Sequence, residues 1–225
     1  MGNAIGQVLP LAVGVAISPL PIVAVVLMLV SRRARVNGPM FVAGWVIGLA
    51  ILGAVVLLLA GPADASDDGQ PATWVSVVKL VVGGLLVLMA AREWKARPAD
   101  GTEPAMPKWM ETIDAFTPGK AAGSGALFGA VNPKNLLLAV SAAATIAQTG
   151  ISGGAQAGAY AVFTAIATVG VAAPVVIYFV LGDRAKTTLD GLRSWMVHNN
   201  AAIMSVLLVV IGAKLVGDAI SGLAS

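Results

Sequence analysis

Cysteine is absent from this sequence, histidine occurs once, aromatic residues make up 5% and charged residues only 11% of the 225 positions. Without cysteine there are no disulfides and no thiolate metal sites, and the redox compartment leaves no mark. The one histidine, His198, has no catalytic constellation around it in the sequence, and the long apolar stretches contain no carboxylate. A hydrolase needs a nucleophile with a base, and a metal antiporter would more naturally carry Asp or Glu within the membrane. Phosphate-binding glycine loops and metal-ligand clusters are missing too, so the chain is read as no enzyme and as having no cofactor. Soluble domains are about 25% charged; at 11% the composition is that of a membrane protein.

What is present is apolar: 58% of the residues are hydrophobic and the mean hydropathy is +0.88. These residues lie in blocks of the length that crosses hydrocarbon, about 20 residues at 1.5 Å each. Six spans are expected, at roughly Gly6 to Val30, Pro39 to Ala60, Thr73 to Ala91, Ala121 to Ala147, Ala155 to Leu181 and Ala201 to Gly217. The opening stretch "MGNAIGQVLPLAVGVAISPLPIVAVVLMLV" has no positive leader and no cleavage-like ending. It reads as a first span and not as a signal peptide.

The net charge of +3 marks topology, not a nucleic-acid partner. Arg32, Arg33 and Arg35 follow the first span, Arg92, Lys95, Arg97, Lys108 and Lys120 the third, and Arg184, Lys186 and Arg193 the fifth. The second connection has Asp64, Asp67 and Asp68 without Lys or Arg, and the fourth has no charge. Positive residues on alternate connections put those connections in the cytoplasm, so both termini are expected outside the plasma (inner) membrane. Two basic-side segments show amphipathic spacing: Met106, Trp109, Met110, Ile113 and Phe116, and again Leu189, Leu192, Trp195 and Met196. Each is expected to be an interfacial helix.

The fourth span contains an awkward run, "GAVNPKNLLLAV", and the first contains its counterpart, "AISPLPIVAVV". Ser18 aligns with Asn132, Pro19 with Pro133, Leu20 with Lys134 and Pro21 with Asn135. Serine and asparagine favour the N-cap and proline the first helical position, so each site reads as a helix restarting within the membrane. The first span runs inward and the fourth outward, which makes the chain two inverted three-helix repeats, an architecture of secondary transporters with the substrate near the breaks. The expected division is 1–92 for the first repeat, 93–120 for a cytoplasmic linker with its interfacial helix, and 121–225 for the second. The fold class is an all-α polytopic membrane protein.

Lys134 is the least easily explained residue. Either its ammonium and the N–H groups of the new helix converge on an anion, or carry a coupled proton, or it snorkels to the outer headgroups. Lys79 and Lys214 lie near span ends, where snorkelling is the plain reading and contact with an anionic lipid the functional one; Asp218 stands one turn from Lys214. Gly44, Gly48 and Gly53, with Gly123, Gly125 and Gly129, favour close helix contact. Trp45, Trp74 and Trp195 suit interface belts.

Ser18 to Gly48 and Gly129 to Ala143 resemble the two signature regions of the actinobacterial GAP family, also called the sulfolipid-addressing protein (Sap) family, in the LysE superfamily of exporters. The resemblance follows the span order along the whole chain and is most specific at the Asn132 to Asn135 segment. It implies a six-span inner-membrane protein that moves complex glycolipids toward the cell surface. By position it marks Ser18, Pro19, Pro21, Asn132, Pro133, Lys134 and Asn135 as substrate-binding, and Arg32 and Arg33 after the first repeat as headgroup or gating residues; Lys79 and Lys214 are counted with the latter from their own place near span ends. The expected function is export of an anionic lipid, glycolipid or lipid-linked glycan by alternating access around the two broken helices. The alternatives are a LysE-type exporter of a small solute and a non-transporting adaptor of a glycolipid-export complex. Expected partners are membrane lipids or glycolipids, lipid-synthesis or export proteins, and a second copy of the chain in a homodimer.

Overall fold

The computed structural model describes residues 1–60, 73–96, 113 and 115–224. Among them the chain forms eight α-helices: α1 (Gly2–Ala16), α2 (Pro19–Leu29), α3 (Ala34–Ala60), α4 (Thr73–Lys95), α5 (Pro118–Ala130), α6 (Pro133–Ala147), α7 (Gly153–Leu181) and α8 (Ala185–Ala224). Four of them, α3, α4, α7 and α8, are long and apolar enough to cross a membrane. The remaining four form two bent pairs, α1 with α2 at 51° and α5 with α6 at 61°. Counting each pair as one span gives six.

The outer faces fit lipid and not water. Leu58 and Leu59 are 81% and 82% exposed, and Ile51 and Val180 also stand out from the bundle. Large apolar side chains in such continuous rows would be an aggregation surface in a soluble protein, whereas in hydrocarbon they cost nothing. The chain is a multi-pass membrane protein. Its centre is supplied by the second member of each bent pair. Residues Ile22 to Val26 of α2 and Ser141 to Ile146 of α6 are buried on every side, as expected of helices apolar all round.

Small residues set the packing distances. On α3, a methyl added at Gly44 would overlap the carbonyl of Ala122 on α5, and one at Gly48 would sit 2.6 Å from the Ala126 carbonyl oxygen. From the other side, Gly125 and Gly129 of α5 meet the backbone of Phe41 and Trp45 on α3. The glycine expectation thus holds at four positions, while Gly123 faces open space and Gly53 makes room for the Tyr160 ring. Between α4 and α8, Gly83 and Gly212 face each other: a methyl on either would lie 2.9 Å from the other's carbonyl oxygen.

Two expectations change. Trp45 is not in an interface belt; it is fully buried, because Gly44 and Gly48 draw α5 so close that the residue between them is enclosed. The amphipathic stretch around Leu189 to Met196 is not a separate interfacial helix but the start of the 40-residue α8. No glycine or proline interrupts Ser194 to Met204, and Leu189 and Met196 are buried on the same helix as Leu208 and Leu215. At about 60 Å, α8 is twice the thickness of the hydrocarbon. The other amphipathic segment, Met106 to Phe116, lies mostly outside the described residues. Of it, Ile113 joins the core and the Phe116 carbonyl accepts a 3.0 Å hydrogen bond from Asn37 Nδ2.

Candidate functional site: the two helix breaks

A broken helix leaves carbonyls without partners at the end of one half and N–H groups at the start of the next. In a membrane each such group needs a protein partner, water or ligand. The first break follows α1. Ile17 N–H still bonds Val13 O, but the carbonyls of Gly14 and Ile17 lie beyond the reach of α2. The Lys134 ammonium, from the second break, donates to both, at 2.8 and 3.1 Å, and points a third proton at Met204 Sδ of α8 at 3.8 Å. Lys134 is 2% exposed. A cation at the negative pole of α1 is a favourable placement for a buried charge without a paired carboxylate. The side chain does not snorkel, and it faces a helix C-terminus and not the N–H groups of its own helix.

The second break uses the neighbouring residue. Asn135 Nδ2 donates to Phe128 O near the end of α5 (2.9 Å), and Asn135 Oδ1 accepts from Ser18 Oγ (2.9 Å). The two breaks therefore touch. One side chain closes the end of α5 and reaches the start of α2, while the next closes the end of α1.

The helix starts are lean in donors. Pro19 and Pro21 occupy the first and third positions of α2, so neither has an N–H to offer. Ile22 N–H makes the first intrahelical bond to Ser18 O at 3.2 Å, which leaves Leu20 as the one N–H between them. Ser18 holds the N-cap position yet makes no capping bond, and its hydroxyl is free to serve Asn135. At α6, Asn132 does cap, its side chain accepting from Lys134 N–H at 3.2 Å, with Pro133 in first position. Of the seven break residues proposed from sequence, Ser18 and Asn135 bond each other across the breaks and Lys134 reaches the end of α1; Ser18, Pro19, Pro21, Lys134 and Asn135 are buried, Asn132 is half-buried and Pro133 is exposed.

The family model of Sap, the sulfolipid-1-addressing protein, matches residues 8–221, a stretch that includes both breaks. The chain belongs to the Sap family. No curated protein and no solved structure matches it.

The other residues singled out in the sequence do not join the breaks. Arg32 and Arg33 are exposed in the turn between α2 and α3, on a cavity of about 510 Å³ that Arg35, Pro118 and Tyr178 also line. Lys79 of α4 is buried and donates to Gln148 Oε1 at the end of α6 (3.0 Å), and Lys214 pairs with Asp218 at 2.5 Å on α8. Each of these lysines has a protein partner. The sequence offered no sign that the acceptors for Lys134 would be backbone carbonyls of α1, since a carbonyl belongs to every residue and only the geometry of the break makes these two available.

Proposed function

We propose that this Sap-family protein moves an anionic glycolipid of the sulfolipid type across or out of the plasma (inner) membrane, as a carrier and not as an enzyme. The observation that carries the reading is the meeting of two broken spans around buried polar residues, inside a family whose model is that of a sulfolipid-1-addressing protein. Broken helices near a midplane are where secondary transporters hold cargo, and rocking one helix set against the other exposes that region to alternate sides. The anionic head would engage Lys134, Asn135 and Ser18 when α1 and α6 part, replacing the carbonyls of Gly14 and Ile17 as partners of the ammonium, while the tails remain in lipid.

Two inverted repeats, 1–92 and 121–225, are part of this reading. Their support is that each half consists of a bent pair followed by two long helices. Helix α3 packs on α5 as α7 packs on α1, and α4 packs on its own counterpart α8 through the reciprocal Gly83 and Gly212 contact. The orientation, with the basic connections in the cytoplasm and both termini outside, rests on the charge alternation.

A test is transbilayer movement of a fluorescent sulfated glycolipid in vesicles reconstituted with the purified chain. Movement faster than in protein-free vesicles, and faster than for a zwitterionic lipid, is the expected result. No acceleration for any anionic lipid would sink the carrier reading. One observation favours a second reading, an adaptor that recruits an export complex: the polar groups of the breaks satisfy one another. An adaptor would leave the vesicles inactive and still be required for export in cells.

A further inference from the structure

At the basic end of the bundle, away from the breaks, the turn after α2 and the corner between α7 and α8 enclose a cavity of about 500 Å³. It borders the cavity of Arg32 and Arg33, with Ser31, Ala34, Arg35 and Tyr178 common to both. This volume is within the range of small-molecule sites, roughly 300–1,000 Å³.

Its walls are amphipathic. Arg35 and Lys186 supply the charge, Leu29, Val30 and Phe179 the apolar side, and Tyr178 a phenol. Phe179 is 54% exposed and continues the lipid-facing surface of α7, so the cavity opens toward the bilayer as well as toward water. Among the described residues, Arg35 and Lys186 have no ion pair and the Tyr178 hydroxyl has no hydrogen-bond partner. The nearest acidic residues in sequence are Asp183 and Asp190.

The two cations also stand against their own helix dipoles. Arg35 is the second residue of α3 and Lys186 the second residue of α8, and neither helix has an acidic residue in its first turn. Helix N-termini favour anions, and a cation there is unfavourable by itself. Topology explains why basic residues lie at this end; it does not explain why two helices direct their positive ends and a cation each into the same cavity. Gly182, with φ +55°, makes the turn that brings the second of these helices in.

We infer that this cavity binds the phosphate or sulfate head of an anionic membrane lipid, its oxyanion between Arg35 and Lys186 and its first methylenes against Val30 and Phe179. Charge complementarity and the lateral apolar opening select a lipid over a free anion. The inference stands apart from transport, because the site is remote from the breaks and binding is read at equilibrium.

The experiment titrates the purified full chain in neutral detergent with phosphatidylglycerol, a sulfated galactosylceramide, phosphatidylcholine and inorganic sulfate, read by native mass spectrometry. Both anionic lipids should bind, and Arg35→Gln with Lys186→Gln should weaken that binding roughly tenfold. The charge-keeping pair Arg35→Lys with Lys186→Arg should retain it. Both side chains are exposed, so the variants fold, and each single Gln variant reports the same loss in part. Undiminished binding of the anionic lipids to the double Gln variant would overturn the site. Equal retention of phosphatidylcholine would overturn its charge selectivity, and displacement of the lipid by inorganic sulfate would reassign it to free anions.

Discussion

Lys134 aims its ammonium at two carbonyls and a sulfur, and this geometry changes what its replacement would do. Lys134→Met would leave two buried carbonyls without donors, at about 1–3 kcal/mol each. Its thermal midpoint in detergent should fall clearly below that of the parent; an unchanged midpoint would show that Lys134 is not needed to hold the end of α1. Ser18→Ala and Asn135→Leu should be non-additive when combined, by about 0.5–3 kcal/mol, because the two side chains share a bond. The seven break residues were legible because cap-proline chemistry is local and repeats in the two halves. The role of Lys134 was not, since it depends on where a helix 117 to 120 residues earlier comes to rest.

At the scale of elements, α3 and α5 meet backbone against backbone at Gly44, Gly48, Gly125 and Gly129. A side chain there meets carbonyls that cannot rotate away. Gly44→Val should therefore lower stability by at least about 1–3 kcal/mol, seen as a reduced midpoint and a smaller folded peak on gel filtration. Gly123→Ala, on α5 but facing open space, should change little or stabilise slightly, since alanine favours a helix over glycine; a comparable loss there would mean that the demand for glycine on α5 is not set by its contact with α3. The small-xxx-small spacing made this contact readable from sequence. The fusion of the Leu189 to Met196 stretch with the last span was not, because an amphipathic segment beside an apolar one has the same pattern whether the helix bends or runs on.

At the scale of the whole molecule, the basic turns and corners gather at one end, around Ser31 to Arg35, Pro118 and Gly182 to Lys186, and Lys79, Gln148 and the Lys214 to Asp218 pair sit elsewhere. Since the chain has no cysteine, single reporters introduced at Arg32 and at Gly150 can be labelled without background. An impermeant thiol reagent added to intact cells should reach the second and not the first; the reverse pattern would invert the proposed orientation. The mutual closure of the breaks also has a consequence in time. Synthesis delivers α1 and α2 to the membrane long before Lys134 and Asn135 exist, with 117 residues separating Ser18 from Asn135. At roughly 5–20 residues per second, the open carbonyls of α1 wait on the order of ten seconds for their partners. The first half of the chain is thus an obligate intermediate that something other than its own sequence must keep hydrated or shielded until the second half arrives.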